Sequence, residues 1–356
     1  MTLRVLHVIA EMGVGGAESM VAEMIRNGSS RGWSSAVASS GGIRLDELDG
    51  TTYHVPLVHR SVRGLLTARV AVERAATEFV PDVIVAHNVS ATVVARLAAP
   101  RRPILSVFHG VDGKDYRMSA IVLSLAPTRV VAVAHAVAGR LQNSGLRHTP
   151  TSVIHNAVTP PVLPDRGEAR AQLGLPGDTP IALCLARLEP QKRHDILIDA
   201  FARVRTDARL LIAGDGSLRT SIADRARPLG DRIQLLGNRS DVPTLLAAAD
   251  VTVLTSDWEG LPVSVLESMA SGVPVIAPDV DGLREVLGDG GGELIAPGDI
   301  DGFADSLDKF LHDKVFREEH GRRAQKIISD EFSLQTMMAD YDEVLRSMTE
   351  RTMAPR

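Results

Sequence analysis

The chain has 356 residues, 44% hydrophobic and 23% charged, the make-up of an ordinary folded protein of about two domains and not of a disordered or low-complexity one. A single cysteine, Cys184, excludes an internal disulfide and a four-cysteine zinc site and fits a reducing compartment. The net charge of −5 is uneven, with 16 Lys and Arg against 11 Asp and Glu over residues 1–160 and 23 against 33 beyond; with only 3% aromatics and no basic cluster alternating with stacking residues, nucleic acid is excluded as a partner.

Residues 3–10 are a short run of branched apolar side chains, which predicts a buried parallel strand. Gly13-Val14-Gly15-Gly16-Ala17-Glu18 follows, then Met20, Val21, Met24 and Ile25 at helical spacing: strand, glycine loop, helix. The alternation recurs, with strands expected at 83–86, 104–108, 130–133 and 153–154 and helices at 91–97 and 136–141. Residues 159–164, Thr-Pro-Pro-Val-Leu-Pro, read as an extended linker. The pattern then restarts, with strands at 181–186, 210–213, 233–235, 251–254 and 273–277 and helices at 195–204 and 217–226. Strands alternating with helices imply right-handed crossovers and parallel sheets. Its occurrence twice predicts two doubly wound α/β domains, with the site in a cleft between them. Residues 333–353 are helix-like, but periodicity does not place them. The first residues lack a secretory signal, and no apolar run approaches the ~20 residues of a spanning helix, so a cytoplasmic protein is expected.

Chemistry concentrates between Ser256 and Val275. Pro262 suits the first position of a helix, where its missing N–H costs nothing, and the free N–H groups over Leu261–Ser264, Val263 among them and Gly260 just before, would offer an anion site suited to a diphosphate. Glu259 precedes that helix and Glu267 stands about one turn inside it; carboxylates suit sugar or ribose hydroxyls. Two glutamates eight positions apart mean little alone. Arg187 and Lys192 follow a strand at its carboxyl end, and the turn between them lets both cations converge on phosphate oxygens; taken singly, that loop reads as a solvated basic turn. Gly214-Asp215-Gly216 and Leu236-Gly237 are strand-end turns, and Gly13-Val14-Gly15-Gly16 has the wrong spacing for a dinucleotide fingerprint. His109 follows a strand, as His87 and Asn88 follow another. Eleven scattered histidines without ligand spacing disfavour a metal site.

In order and spacing these residues resemble family 4 of the retaining nucleotide-sugar glycosyltransferases, which have the GT-B fold. The resemblance runs through Gly15-Gly16-Ala17-Glu18, His109-Gly110, Ala186-Arg187-Leu188 with Lys192, Gly214-Asp215-Gly216, Leu236-Gly237, Glu259-Gly260-Leu261-Pro262, Glu267 and Gly272-Val273-Pro274-Val275. It implies two Rossmann-like domains facing across a cleft. The first, 1–160, is acceptor-side and completed by a last helix, 333–356; the second, 161–332, binds the donor. It implies that Arg187 and Lys192 grip the donor diphosphate, that Glu267 binds ribose, and that Glu259 and His109 stand beside the transferred sugar. Gly15, Gly16 and the backbone of 261–263 would meet sugar or phosphate oxygens, and Leu236 and Gly237 the nucleobase. Two positions depart from the family pattern: Ala157 stands where a glycine is usual, making a positive-φ turn less comfortable, and Arg193 follows Lys192 where glycine is common, adding cationic character near the phosphates.

The expected reaction is metal-independent and cofactor-free hexosyl transfer, with retention, from a nucleoside diphosphate sugar (UDP preferred) to a hydroxyl acceptor in polysaccharide, glycolipid or glycoconjugate synthesis. A sugar-nucleotide epimerase and a non-catalytic nucleotide-sugar binder are the alternatives; a NAD-dependent dehydrogenase is weaker. Arg60, Arg63, Arg69 and Arg74 share a segment with Val62, Leu65, Leu66 and Val70, readable as a basic amphipathic helix on an anionic membrane or, preferably, as a solvated helix of a folded domain.

Overall fold

β1 (Leu3–Val8) and the strand after the first helix, β2 (Trp33–Ser39), run parallel, and five more join them: β3 (Thr51–His54), β4 (Val83–Ala86), β5 (Ile104–Phe108), β6 (Arg129–Ala132) and β7 (Thr151–Val153). The order is β3-β2-β1-β4-β5-β6-β7. The computed structural model describes residues 2–48, 50–57 and 62–353. Strands β4 and β5 are buried at every residue, as expected of strands covered on both faces. Helices α1 (Gly16–Gly28), α2 (Val62–Phe79), α3 (Val89–Ala98), α4 (Tyr116–Leu125) and α5 (His135–Asn143) make the crossovers. On α2 the buried residues Ala68, Val72, Ala75 and Phe79 recur at helical spacing and pack on Leu6 and Ile84 of the sheet. Arg60 lies outside the described residues.

The second unit repeats the plan. Helix α6 (Arg166–Gln172) precedes β8 (Ile181–Leu185), α7 (His194–Arg203), β9 (Arg209–Ala213), α8 (Arg219–Ala226), β10 (Ile233–Gly237), α9 (Val242–Ala248) and β11 (Val251–Val253). Then come α10 (Val263–Ala270), β12 (Val275–Pro278), α11 (Asp281–Leu287), β13 (Gly292–Ile295), α12 (Ile300–His312) and α13 (Lys314–Glu331). Its six parallel strands are ordered β10-β9-β8-β11-β12-β13. A buried polar staple fixes the amino-terminal edge of this sheet. Asp250 accepts from Arg166 (2.7 Å), Arg170 (2.9 Å), Arg317 (3.1 Å) and the amide of Ile181 (2.8 Å). The same guanidiniums donate to carbonyls ending α9 and α12, among them Ala248, Ala249 and Phe310, which a helix leaves without partners.

The last helix, α14 (Leu334–Met353), packs against α1 of the first unit, where Trp33 Nε1 donates to Asp342 (2.7 Å) and Arg346 to the carbonyl of Arg31 (2.7 Å). The units are accordingly Met1–Asn156 with Leu334–Arg356, and Ala157–Ser333. Ala157 does not adopt a positive φ, so its turn is made without the conformation that a glycine would favour there. Among the described residues no helix is long and apolar enough to cross a membrane.

Candidate active site

In the second unit the chain lays β8, β9 and β10 in one direction, then returns to add β11 on the other edge of β8. Ligands of open parallel sheets bind at the carboxyl ends of strands beside such a reversal. The segments leaving β8 and β11 carry the residues singled out in the sequence. Lys192 ends a 3-10 turn, Pro190–Lys192, and its Nζ lies 2.6 Å from Glu259 Oε1. The two side chains are 13% and 6% exposed, so each charge is neutralised chiefly by the other.

The two loops are sewn together around this pair. The amide of Asp257 donates to the Gln191 carbonyl (2.9 Å), Gln191 Nε2 donates to the Trp258 carbonyl (2.7 Å), and Thr255 Oγ1 donates to the carbonyls of Lys192 (3.1 Å) and Arg193 (2.9 Å). Arg193 sits at φ +49°, a left-handed conformation costing a residue with a Cβ about 1–2 kcal/mol. Its guanidinium pairs with Asp195 (3.0 Å) and Asp257 (2.9 Å), which holds the turn. These contacts correct one sequence expectation: the charge of Arg193 is met by two carboxylates and adds little to the phosphate field. Arg187 is exposed and pairs with no carboxylate within 4 Å among the described residues.

Pro262 is the residue before α10, not its first position. Its ψ of 126° keeps it extended, so Val263 and Ser264 supply the leading helical amides. Glu267 stands one turn further along, half-buried. Gly272, at φ +75°, stops the chain after α10. On the far side of β8, the amide of Gly214 donates to the Gly237 carbonyl (2.8 Å). A Cβ on Gly214 would stand 2.0 Å from the Ala186 carbonyl oxygen, so only glycine fits this approach of the β8 and β9 ends. Leu236 and Gly237 end β10 beside them.

In the first unit the strand order reverses between β1 and β4. Gly15 precedes α1 and Gly16 begins it. His7 of β1 and His87 after β4 are buried and bonded, Nδ1 to Nε2, at 3.1 Å. His109 after β5 stacks beyond them, its ring centroid 6.5 Å from that of His87. Burial lowers the pKa of His7 to about 3 and of His109 to about 4, and lowers that of His87 well below the usual value, chiefly by burial and then by the neighbouring imidazoles. His109 is therefore neutral at neutral pH, and its buried Nε2 has no partner among the described residues. His194, beside the buried Cys184 thiol (3.8 Å), is lowered to about 4. Each depressed group takes up a proton in the unfolded chain before it does so in the folded one. Stability therefore falls as pH drops from about 6.5 toward 4, by about 1.4 kcal/mol per pH unit per histidine. Urea unfolding followed through this window should show a steep loss, and His109→Gln should flatten it by about one proton; a level profile for the wild type contradicts the neutral row.

The pattern of Glycosyl transferases group 1 matches residues 165–327, and that of Glycosyltransferase Family 4 matches residues 14–160. The chain is a family 4 glycosyltransferase. It is 27% identical to the N-acetyl-alpha-D-glucosaminyl L-malate synthase of Bacillus anthracis, over 72% of this chain and 71% of that one. It is 31% identical to a GDP-mannose-dependent monoacylated phosphatidylinositol monomannoside mannosyltransferase of Corynebacterium glutamicum, over 56% of each. Its fold matches HepE of Anabaena in complex with UDP-glucose, with a TM-score of 0.86 and 25% identity over 97% of this chain and 100% of that one. The fold of the enzyme is GT-B. Sequence reasoning missed the loop clamp of Gln191, Thr255 and Asp257 and the partnership of His7 with His87: these contacts join residues 62–80 positions apart, and no local spacing signals them.

Proposed function

We propose that this glycosyltransferase moves a hexosyl group from a nucleoside diphosphate sugar, UDP-sugars first, to a hydroxyl acceptor with retention and without a divalent metal. The observation that carries the reading is the Lys192–Glu259 pair at the strand-order reversal, with Arg187 on the same loop and the α10 amides next in the chain. Departure of the diphosphate develops negative charge. Two cations and a helix start supply the neutralisation that a metal would otherwise give, and one such donor contributes roughly 3–4 kcal/mol. As the diphosphate draws Lys192 away, Glu259 is freed to accept hydrogen bonds from the sugar hydroxyls. Glu267 is assigned to the ribose and neutral His109 to a sugar hydroxyl. With Glu267 on ribose, one carboxylate remains at the sugar, whereas double displacement sets two across the bond. Same-face attack, with the leaving phosphate taking the acceptor proton, follows. The UDP-glucose complex of HepE favours uridine; the GDP-mannose relative keeps guanosine in the test.

Thermal shifts across UDP- and GDP-sugars identify the donor, and proton NMR of the product reads its anomeric configuration. Stabilisation by a UDP-sugar, transfer that persists in chelator, and an α product from an α donor are expected. An inverted product removes the same-face route, and activity lost in chelator removes the metal-free one.

A further inference from the structure

Twelve large apolar side chains are exposed among the described residues, and seven of them lie on α2, α3 and α4, which pack side by side in the first unit. On α4, Met118 (65%), Ile121 (47%) and Leu125 (80%) form one outward stripe, with Tyr116, Ser119, Ala120 and Leu123 buried on the other face. Leu66 and Val70 are outward on α2, opposite its packed face, and Leu97 is outward near the end of α3. Single exposed leucines are ordinary, but a run of them over three adjoining helices marks a contact surface.

Charge selects the partner. Residues 62–125 hold eight Lys and Arg against five Asp and Glu. Arg63, Arg101 and Arg117 are exposed and pair with no carboxylate among the described residues. Two copies of this face would bring like charges together, which opposes self-association. Apolar side chains set among unpaired cations match the layered chemistry of an anionic bilayer, where hydrocarbon enters the acyl boundary and cations stay at the headgroups. We infer that the α2–α4 face docks the enzyme peripherally on an anionic lipid surface, with the α4 stripe as its apolar anchor. The inference concerns a surface distinct from the donor residues and stands whether or not the donor assignment does.

Co-sedimentation of the full chain with phosphatidylcholine vesicles, with and without phosphatidylglycerol, tests it. Binding should require the anionic lipid and weaken in high salt. The triple variant Met118→Ser/Ile121→Ser/Leu125→Ser should lose at least about tenfold in vesicle affinity, with its thermal midpoint and nucleotide-sugar shift unchanged because all three side chains already face solvent. Arg63→Gln/Arg117→Gln should weaken binding by about fivefold per charge. Equal binding to neutral vesicles, or an unaltered triple variant, overturns the inference. So does a lipid-indifferent protein whose concentration-dependent dimer the triple variant abolishes, which would make the face a self-association surface.

Discussion

Replacing Arg187 and Lys192 together by alanine should lower kcat/KM by about a thousandfold or more and abolish the thermal shift given by a nucleotide sugar. Removing one preorganised donor to a developing anion typically costs about 10²–10³ in rate. The two single variants should differ. Arg187 is exposed and pairs with no carboxylate, so Arg187→Ala should spare folding and weaken donor binding. Lys192→Ala also strands Glu259, only 6% exposed, without its counter-charge, and should lower stability as well as activity. Lys192→Ala with Glu259→Gln should restore part of that stability but none of the transfer. Calorimetric titration of the double cation variant decides the matter: undiminished affinity for every nucleotide sugar tried would remove the phosphate assignment and the mechanism built on it.

Asp250→Ala should be strongly destabilising. It leaves three guanidiniums, Arg170 buried among them, and the amide of Ile181 without their acceptor. Breaking a buried ion cluster by removing one partner costs about 3–5 kcal/mol. For a unit of this size each kcal/mol lowers the midpoint by about 2–4 °C, so calorimetry should show a fall of about 10 °C. Asp250→Asn keeps an acceptor for Ile181 and should fall less. A midpoint unchanged in Asp250→Ala would mean that the guanidiniums are held by the helix-end carbonyls alone.

Where burial on both faces wrote near-continuous apolar runs, as in β1, β4, β5, β8 and β9, the sequence was sufficient to place the strand. β2 was missed because Trp-Ser-Ser-Ala-Val-Ala-Ser hides a buried central strand behind small polar residues; Ser39 is buried and polar. β3 is exposed at three of its four residues, and β13 is half-buried throughout, so neither edge strand shows an apolar signature. The candidate site residues of the second unit could be singled out because they stand at the ends of recognisable strands. Their mutual arrangement was not: the pairing of Lys192 with Glu259 joins two loops 67 positions apart, and the left-handed turn at Arg193 depends on Asp257 from the other loop.

On the proposed assignment, the ion pair between those loops bears on product release. In the resting enzyme Lys192 already has a counter-ion, so a lone anion such as inorganic phosphate must compete with Glu259 and would leave that carboxylate unsatisfied. On the assignment proposed above, a whole nucleotide sugar would satisfy both partners at once, oxygen for the ammonium and hydroxyls for the carboxylate. Once the sugar had gone, the spent nucleotide would satisfy only one of them, and re-formation of the lysine–glutamate contact would help expel it.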